Sequence, residues 1–388
     1  MQVNAVNYKT KSFISEKKLP KVLGNNQHRS RSIAGLDIGW SGTKVIGGNV
    51  VACVPSIIKP TKDVQIVSEL KDTDIILEDH TTGQKYYVGE FAYNQMNSTD
   101  IRKMNDELLY DRYWYHSEIF RIMAAAGTAL ALPDNYAKTD IYIQTGLPCE
   151  YIADKDEVKD ELLHPYDFSM QVGNHEPKRY TFTPKGVDVM EQPQGALYAV
   201  MYNEKGDPIP SRSGLLMSNT KVWDNGFNTE DIYALKARTL DFHKTNTDVS
   251  QRAVFEAVLD EINGNLSRPM QVFELQKYLE TGIVRYYDRK SNTQKEIDIL
   301  ELLNKNTEKL TQISINRLMK LSDDFSDTDA LILTGGTNAL REEMIRERIG
   351  GLVTVISGNE NDPSIPLTHC NALGYYYRMY NKLKREMQ

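Results

Sequence analysis

Two short segments of the sequence combine a carboxylate, a glycine and small polar side chains in the same order. The first is DIGWSGTKV from Asp37 and the second is DNGFNTEDI from Asp224, so the copies lie 187 residues apart (224 − 37). Each opens with Asp-x-Gly, continues with an aromatic and a small polar residue, and closes on a β-branched residue. Each also follows one apolar stretch and precedes another, which predicts two β-hairpins, one in each half of the chain.

This combination of residues suits the phosphates of a nucleotide. A glycine lets a turn bring its backbone N–H groups close to an anion. An aspartate at each strand end would repel a bare phosphate, so we expect a Mg²⁺ ion between Asp37 and Asp224, held through water. The alternative is a pair of unrelated hairpins with glycine turns. Short side-chain donors come from four further residues: Ser41, Thr43, Asn228 and Thr229.

Strand-like and helix-like segments alternate along the rest of the chain. Apolar strands are expected at residues 140–144, 215–223 and 330–333, and the last of these runs into a Gly-Gly pair. This alternation predicts an α/β fold. Helices are expected in much of 111–132 and over 154–163, 249–262, 270–281, 296–321, 339–349 and 370–385.

The composition is that of an ordinary globular chain. Of the 388 residues, 40% are hydrophobic and 26% are charged, which excludes a fibrous or disordered protein. The net charge of −7 argues against wholesale coating of nucleic acid by the folded body. The longest nearly apolar run, 122–132, is too short to span a bilayer, so we expect no membrane partner. The three cysteines lack metal-binding spacing and cannot form an even set of disulfides, which predicts a cytoplasmic location: Cys53, Cys149 and Cys370.

Charge is unevenly distributed at the start of the chain. Residues 1–31 hold seven basic residues and one acidic residue, Glu16, with little helical or strand periodicity. We expect a basic N-terminal extension that is solvated and flexible. The alternative is a basic arm that grips a partner, a neighbouring subunit or DNA.

Five motifs in a fixed order point to a known family. They are Asp-x-Gly-x-x-Gly-Thr-Lys at 37–44, Thr-Gly-Leu-Pro at 145–148, the second Asp-x-Gly hairpin, Leu-x-Gly-Gly at 333–336 and Asn-x-x-Gly-Tyr at 371–375. This set resembles the actin-like ATPases, a superfamily that includes sugar kinases and heat-shock chaperones. Within it, residues 33–384 are most similar to bacterial plasmid-segregation actins of the ParM/StbA type.

The resemblance implies a two-lobed, actin-like (ribonuclease H-like) α/β fold with a duplicated core and inserted subdomains. The first lobe would comprise residues 32–187 together with 367–388. The second would comprise 188–366, with a helical insertion at about 241–324. Residues 1–31 lie outside the resemblance.

The resemblance also assigns the nucleotide-binding residues. The first phosphate loop would consist of Asp37, Gly39, Ser41, Gly42, Thr43 and Lys44. The second would consist of Asp224, Gly226, Asn228, Thr229 and Asp231. The adenosine would lie against Gly335, Gly336, Thr337 and Asn338. Two positions depart from the family: Asn225 replaces a usual aliphatic residue, and Asn228 replaces a glycine or basic residue.

Hydrolysis in this superfamily needs a Glu or Gln before the second connecting helix to orient the attacking water. Three residues compete for this role: Glu191, Gln192 and Gln194. Glu191 is preferred because a carboxylate can also accept a proton. Alignment on the neighbouring proline favours Gln192, and Gln194 lies in the part most similar to ParM-type chains. Glu191 could also be a surface residue at a helix start.

The function implied is that of a polymerising ATPase that uses ATP and Mg²⁺. Closed subunits would stack head to tail into a filament, and an adaptor protein would connect the filament to plasmid DNA, so that DNA contact is indirect. One alternative is a sugar-type kinase, although residues 50–132 hold no compact catalytic constellation. Another is a nucleotide-sensing scaffold with little hydrolysis. Cys149 shows no His or Asp partner nearby in the sequence, and His116 is interpreted as a packed neighbour of Trp114.

Overall fold

The computed structural model describes residues 4–62, 68–103, 110–288 and 291–387. Its strands are β1 (Phe13–Glu16), β2 (Ser30–Ile38), β3 (Thr43–Ile46), β4 (Val50–Val54), β5 (Ile58–Thr61), β6 (Ile75–Asp79), β7 (Gln84–Val88), β8 (Thr139–Leu147), β9 (Tyr166–Val172), β10 (Lys178–Phe182), β11 (Gly186–Glu191), β12 (Thr220–Asn225), β13 (Glu230–Lys236), β14 (Thr239–Asn246), β15 (Ile283–Asp288), β16 (Thr293–Asp298), β17 (Ala330–Thr334) and β18 (Thr354–Ser357). Its helices are α1 (Glu90–Gln95), α2 (Ser98–Lys103), α3 (Glu118–Ala131), α4 (Lys155–Leu162), α5 (Gln192–Met201), α6 (Gln251–Ile262), α7 (Val272–Leu275), α8 (Leu300–Leu321), α9 (Gly336–Ile349) and α10 (Cys370–Arg385).

Two of the sheets repeat one topology. The order β4-β3-β2-β8-β11 in the first matches β14-β13-β12-β17-β18 in the second. In each, three antiparallel strands are followed by two parallel ones. The internal repeat inferred from the two Asp-x-Gly segments is therefore confirmed at the level of whole sheets, as is the α/β fold.

Each repeated sheet carries an additional unit. A five-stranded sheet of order β10-β9-β6-β7-β5 accompanies the first, and we call the two together the first lobe. The second repeated sheet is accompanied by α6, α7, α8 and the β15–β16 hairpin, and we call this group the second lobe. We expected a helical insertion over about 241–324. In this segment β14 belongs to the repeated sheet, and β15–β16 forms a hairpin between the helices.

Two helices join the lobes. Helix α5 follows β11 of the first sheet, and α10, the last helix of the chain, packs against both α5 and β2. Their closest approach is at Gly195 and Gly374, where neither residue has a side chain to separate the backbones. One apolar cluster continues through both lobes, with Ile33 on one side, Leu197 and Leu373 in the middle, and Val222 on the other.

Several helix ends differ from the sequence-based expectation. Helix α3 begins at Glu118 because the Ser117 hydroxyl accepts a hydrogen bond from the Phe120 N–H at 3.2 Å. The segment expected as a helix over 270–281 holds only the short α7 and a 3₁₀ turn. The helix expected from 296 begins at Leu300, because 293–298 pairs with β15 instead. Tertiary pairing here overrides local periodicity.

The N-terminal residues also differ from the expected flexible extension. Ala5–Tyr8 forms a 3₁₀ turn, and β1 adds a sixth strand to the first repeated sheet by pairing with β4. Farther along, the Tyr376 hydroxyl donates to the Pro20 carbonyl at 2.7 Å. This segment is ordered because its few apolar residues, among them Tyr8 and Val22, are buried in the body of the protein. Within the described residues, no helix has both the length and the apolar character needed to cross a bilayer.

The helix crossing gives a first prediction. A Cβ atom on Gly374 would overlap the carbonyl oxygen of Gly195. We therefore expect Gly374→Ala to lower the free energy of unfolding by at least about 2 kcal/mol, because two helix backbones must separate. Urea denaturation measures the change. Gly351→Ala is the matched control, since an added methyl there meets no atom within 4 Å; equal effects of the two substitutions would contradict the close crossing.

Candidate functional site

The two Asp-x-Gly segments form equivalent hairpins. In the β2–β3 hairpin Asp37 lies opposite Lys44, and in the β12–β13 hairpin Asp224 lies opposite Asp231. The Gly39 N–H donates to the carbonyl of Gly42 at 3.3 Å, and the same bond recurs from Gly226 to the carbonyl of Thr229 at 2.8 Å. The turns are thus closed in the same way.

Both turns open onto one cavity of about 360 Å³. Asp37 and Asp224 line it from opposite lobes, as the sequence predicts. Each aspartate lies one residue before the end of the first strand of its hairpin, so the duplicated topology places the two carboxylates at equivalent strand ends beside the cavity. The predicted nucleotide-binding residues that line the cavity are Asp37, Gly39, Ser41, Lys44, Asp224, Gly226, Asn228, Thr229, Gly335 and Gly336.

The other predicted residues lie behind the cavity wall. The Thr337 hydroxyl donates to the Gly226 carbonyl at 2.6 Å, and the Asn338 amide donates to the Trp223 carbonyl at 2.8 Å. Asp231 accepts hydrogen bonds from the backbone N–H of Cys149 at 2.9 Å and from Thr245. These side chains hold the second hairpin in place. Gly42 and Thr43 also lie outside the cavity lining.

In the first hairpin, Asp37 is held between a cation and an amide. The Lys44 Nζ lies 3.4 Å from Asp37 Oδ2, and the Gln192 amide donates to Asp37 Oδ1 at 2.8 Å. Burial alone would lower the pKa of Lys44, but the carboxylates of Asp37 and Asp224 contribute to holding it above its usual value. The lysine is therefore a positive charge inside the cavity.

Asp224 is held by the C-terminal part of the chain. The Asn371 amide, at the start of α10, donates to Asp224 Oδ2 at 2.6 Å. Gly335 precedes α9 with φ +93°, and a Cβ atom there would lie 2.5 Å from Asp224 Oδ1. Only glycine combines this backbone conformation with this proximity. The N-terminus of α9 consequently lies beside the cavity.

Two further carboxylates, Asp37 and Asp231, act on Asp224, and the Lys44 cation offsets part of their effect. Burial, followed by the charges of Asp231 and Asp37, raises the pKa of Asp224 to about 7. Burial likewise raises the pKa of Asp231 to about 6. Asn371 Oδ1 is buried without a hydrogen-bond partner among the described residues. This donor set of hard oxygens, with carboxylates clustered around Asp224, fits a hydrated Mg²⁺ ion.

Of the three candidate water-positioning residues, only Gln192 lines the cavity. Glu191 Oε1 pairs with His243 Nδ1 at 2.5 Å, and Glu191 Oε2 accepts from the Gln194 amide at 2.6 Å. The preference for Glu191 is therefore not supported by its position. Cys149 also lies within 4.8 Å of the Glu191 and His243 ligand atoms. The expectation that Cys149 has no histidine or aspartate nearby is wrong, because the fold brings β14 against the segment after β8.

Several lining residues were missed in the sequence. Asn371 belongs to a recognised motif, but nothing in the sequence indicates a contact with Asp224. His369 lines the cavity with its Nε2 3.0 Å from the Ala52 carbonyl, and burial lowers its pKa to about 3, so its ring is neutral. Residues 6–11 and Phe13 form another part of the lining. The basic composition of this segment indicated a mobile extension, so the sequence analysis did not predict that it lines the cavity.

The raised pKa of Asp224 gives a prediction about pH. The pKa of Asp224 is about 7 in the folded chain, against 3.8 in the unfolded chain, so protonation of Asp224 stabilises the folded state. This stabilising contribution is complete below pH 3.8 and is lost as the pH rises through about 7. Asp224→Asn should therefore gain roughly 2–4 kcal/mol of unfolding free energy relative to the wild type on going from pH 4 to pH 8. Denaturation without nucleotide and with a chelator tests this. The exposed Asp260 supplies the control Asp260→Asn; a pH-independent effect of Asp224→Asn would refute the assignment.

Comparison with solved structures finds the same architecture. A non-polymerisable quadruple mutant of pCBH ParM matches with a TM-score of 0.67 and 21% identity, covering 90% of this chain and 99% of the other. A subunit of a 15-stranded ParM filament from Clostridium botulinum matches with a TM-score of 0.67 and 19% identity over 91% and 99%. Ta0583, an archaeal actin homologue in complex with ADP, matches with a TM-score of 0.61 and 18% identity over 90% and 99%.

A family model agrees with these structures. Residues 35–195, which include the first hairpin, β8, β11 and the start of α5, match the model of the N-terminal domain of actin-like proteins. No curated protein sequence matches the chain. At these identities the solved structures establish the fold, and the family model adds the sequence relationship for the first lobe. The chain thus has the actin-like fold of ParM and related actin homologues, and its residues 35–195 are similar to the N-terminal domain of actin-like proteins.

Proposed function

We propose that this protein binds ATP with Mg²⁺ between its two lobes, hydrolyses it, and assembles head to tail into filaments. The observation that carries the proposal is the shared cavity, into which two equivalent hairpins place Asp37 and Asp224 from opposite lobes. A phosphate chain that contacts both turns would bridge the two lobes. Hydrolysis of that chain would therefore change the relative position of the lobes.

The phosphates would bind to backbone and lysine. The glycine-bearing turns at Gly39 and Gly226 line the cavity and would let the backbone approach the phosphates closely, and Lys44 adds a cation within the cavity. The N-terminus of α9 provides a further favourable dipole. Gly335 and Gly336 allow close approach of the adenosine, with Phe227 and Leu340 offering apolar surface on the same wall.

Asp37 and Asp224 are the residues that would hold the Mg²⁺ ion, through water. The ion would neutralise phosphate charge, which is its usual contribution to phosphoryl transfer. The cluster of buried carboxylates supports this role, since the charges of Asp231 and Asp37 both raise the pKa of Asp224.

Gln192 is the residue we assign to the attacking water. Its amide nitrogen is fixed by Asp37 Oδ1 at 2.8 Å, which leaves the amide oxygen to accept a hydrogen bond from water. Phosphoryl transfer depends mainly on such positioning and on charge stabilisation. Glu191 and Gln194 are engaged with His243 and Tyr233 and serve to position the strand end.

Assembly would follow from closure of the cleft. Head-to-tail contacts are heterologous, and contacts of this kind generate open helical polymers. Two structural relatives support self-assembly: one is a subunit of a ParM filament, and the other is a ParM mutant described as non-polymerisable. We further propose that an adaptor protein links the filament to plasmid DNA, because the net charge of −7 disfavours direct DNA contact by the folded body.

The proposed function predicts a nucleotide-driven assembly. Adding ATP and Mg²⁺ to the full chain should raise right-angle light scattering, which then falls as phosphate is released. Asp224→Ala should abolish both signals, because one of the two carboxylates at the cavity is removed, whereas exposed Asp260→Ala should retain them. An unchanged response of Asp224→Ala would rule out this hairpin as the nucleotide site. Release of ADP that requires a sugar and proceeds without polymer would instead identify a kinase.

The assignment of Gln192 predicts a selective defect. Gln192→Ala should slow phosphate release at least about tenfold while ATP still binds, because water is no longer oriented. Gln194→Ala is the matched control, since Gln194 lies outside the cavity lining. Single-turnover phosphate release and equilibrium ATP binding separate the two steps. A larger rate loss in Gln194→Ala than in Gln192→Ala would reject the assignment.

A further inference from the structure

Residues 5–16 run along the cavity as a segment that we call the strap. Val6, Asn7 and Tyr8 line the cavity at one end of this run, and Phe13 lines it at the other. Lys9, Thr10 and Lys11 line it between them. The strap thus forms a continuous part of the cavity wall, and its two ends are fixed to different lobes.

Tyr8 anchors the strap in the second lobe. Its side chain is buried, and its hydroxyl lies 2.6 Å from the Thr307 hydroxyl on α8. Its backbone carbonyl accepts a hydrogen bond from the Gln251 amide on α6 at 2.6 Å. The ring packs near Phe255, with 6.2 Å between centroids. Ala5 is buried in the same apolar cluster.

β1 anchors the strap in the first lobe. Phe13 pairs in register with Cys53, and the ladder continues to Glu16 opposite Val50. Backbone hydrogen bonds in such a ladder fix the strand as a unit. The Phe13 ring also lies 5.1 Å from the His369 ring, beside the cavity.

Lys9 connects the two anchors through charge. Its side chain is only 9% exposed, and its Nζ lies 2.5 Å from Glu280 of the second lobe. The same Nζ lies 3.8 Å from Glu90 at the start of α1, beside the first lobe's smaller sheet. Glu90 in turn accepts a hydrogen bond from the Ser12 N–H at 3.3 Å. One partly buried ammonium group therefore bridges carboxylates of opposite lobes.

We propose that the strap is a clasp that holds the two lobes closed around bound nucleotide and slows its release. This inference rests on the proposed nucleotide site. The five peptide steps from Tyr8 to Phe13 span at most about 17 Å even when extended. Opening of the cleft beyond that reach must break one of the two anchors: either Tyr8 leaves its site between α6 and α8, or β1 leaves β4. Tyr8 is held by one ring and two hydrogen bonds and not by a strand ladder, so it is the anchor that we expect to break when nucleotide leaves.

The test is dissociation of radiolabelled ADP in the presence of Mg²⁺, chased with excess unlabelled ADP, so that hydrolysis plays no part. Tyr8→Ala in the full chain should speed dissociation at least about tenfold, because both the buried ring and its hydrogen bond are lost. Tyr287→Ala is the matched control, since Tyr287 is 53% exposed on β15. Its dissociation rate should equal that of the wild type.

A gentler pair of substitutions guards against misfolding. Tyr8→Phe and Thr307→Val each remove one hydroxyl of the 2.6 Å contact, and Thr307 lies outside the cavity lining. Each should speed ADP release by a smaller factor, and the double variant should show less than the product of the two factors, because they share one interaction. Independent, multiplicative effects would overturn the anchoring role.

Hydrogen exchange of the strap in the absence of nucleotide provides a second readout. Peptides covering residues 5–16 should be protected in the wild type and should lose protection in Tyr8→Ala. Rapid exchange in the wild type, or equal ADP release from wild type and Tyr8→Ala, overturns the clasp while leaving the nucleotide site intact. A wild-type chain that binds no ADP or ATP overturns the proposed function itself.

Discussion

Burial of Asp224 next to two other carboxylates is the constraint on which this structure depends. Burial penalises the ionised form, and the charges of Asp231 and Asp37 add to that penalty. Lys44 offsets only part of this charge. A chain that keeps such an arrangement gains from a ligand that carries a cation into the cavity. Binding of a cation beside Asp224 would therefore relieve this repulsion.

Three contacts join the two lobes around this cluster of carboxylates. The sheets meet through α5 and α10, whose backbones touch at Gly195 and Gly374, so this contact has little freedom to slide. On the cavity side, the strap joins the lobes through Tyr8 and β1. The Glu191–His243 pair adds a third link, between the end of β11 and β14. These three contacts consequently fix the relative position of the lobes in this structure.

Two neighbouring polar residues, Glu191 and Gln192, make contacts in different directions. Gln192 lines the cavity and donates a hydrogen bond to Asp37, whereas Glu191 pairs with His243. The change of direction occurs where β11 ends and α5 begins, because consecutive residues at a strand end project to opposite sides. The sequence analysis preferred Glu191 to position water, since a carboxylate can also accept a proton. In the structure both carboxylate oxygens of Glu191 already have partners, His243 and Gln194.

The sequence by itself determined the duplicated hairpins and the α/β class, because Asp-x-Gly turns and apolar strands are local signals that repeat within the chain. The actin-like fold was implied by the family resemblance of five ordered motifs. It also predicted eleven of the residues that line the cavity, Gln192 among them. Only the tertiary structure decided the contacts of Asn371, Gln192 and the strap. Their contacts join residues more than a hundred positions apart, such as Asn371 with Asp224 and Tyr8 with Thr307. No local pattern encodes such pairings, since they arise when packing of the sheets and helices fixes the two lobes against each other.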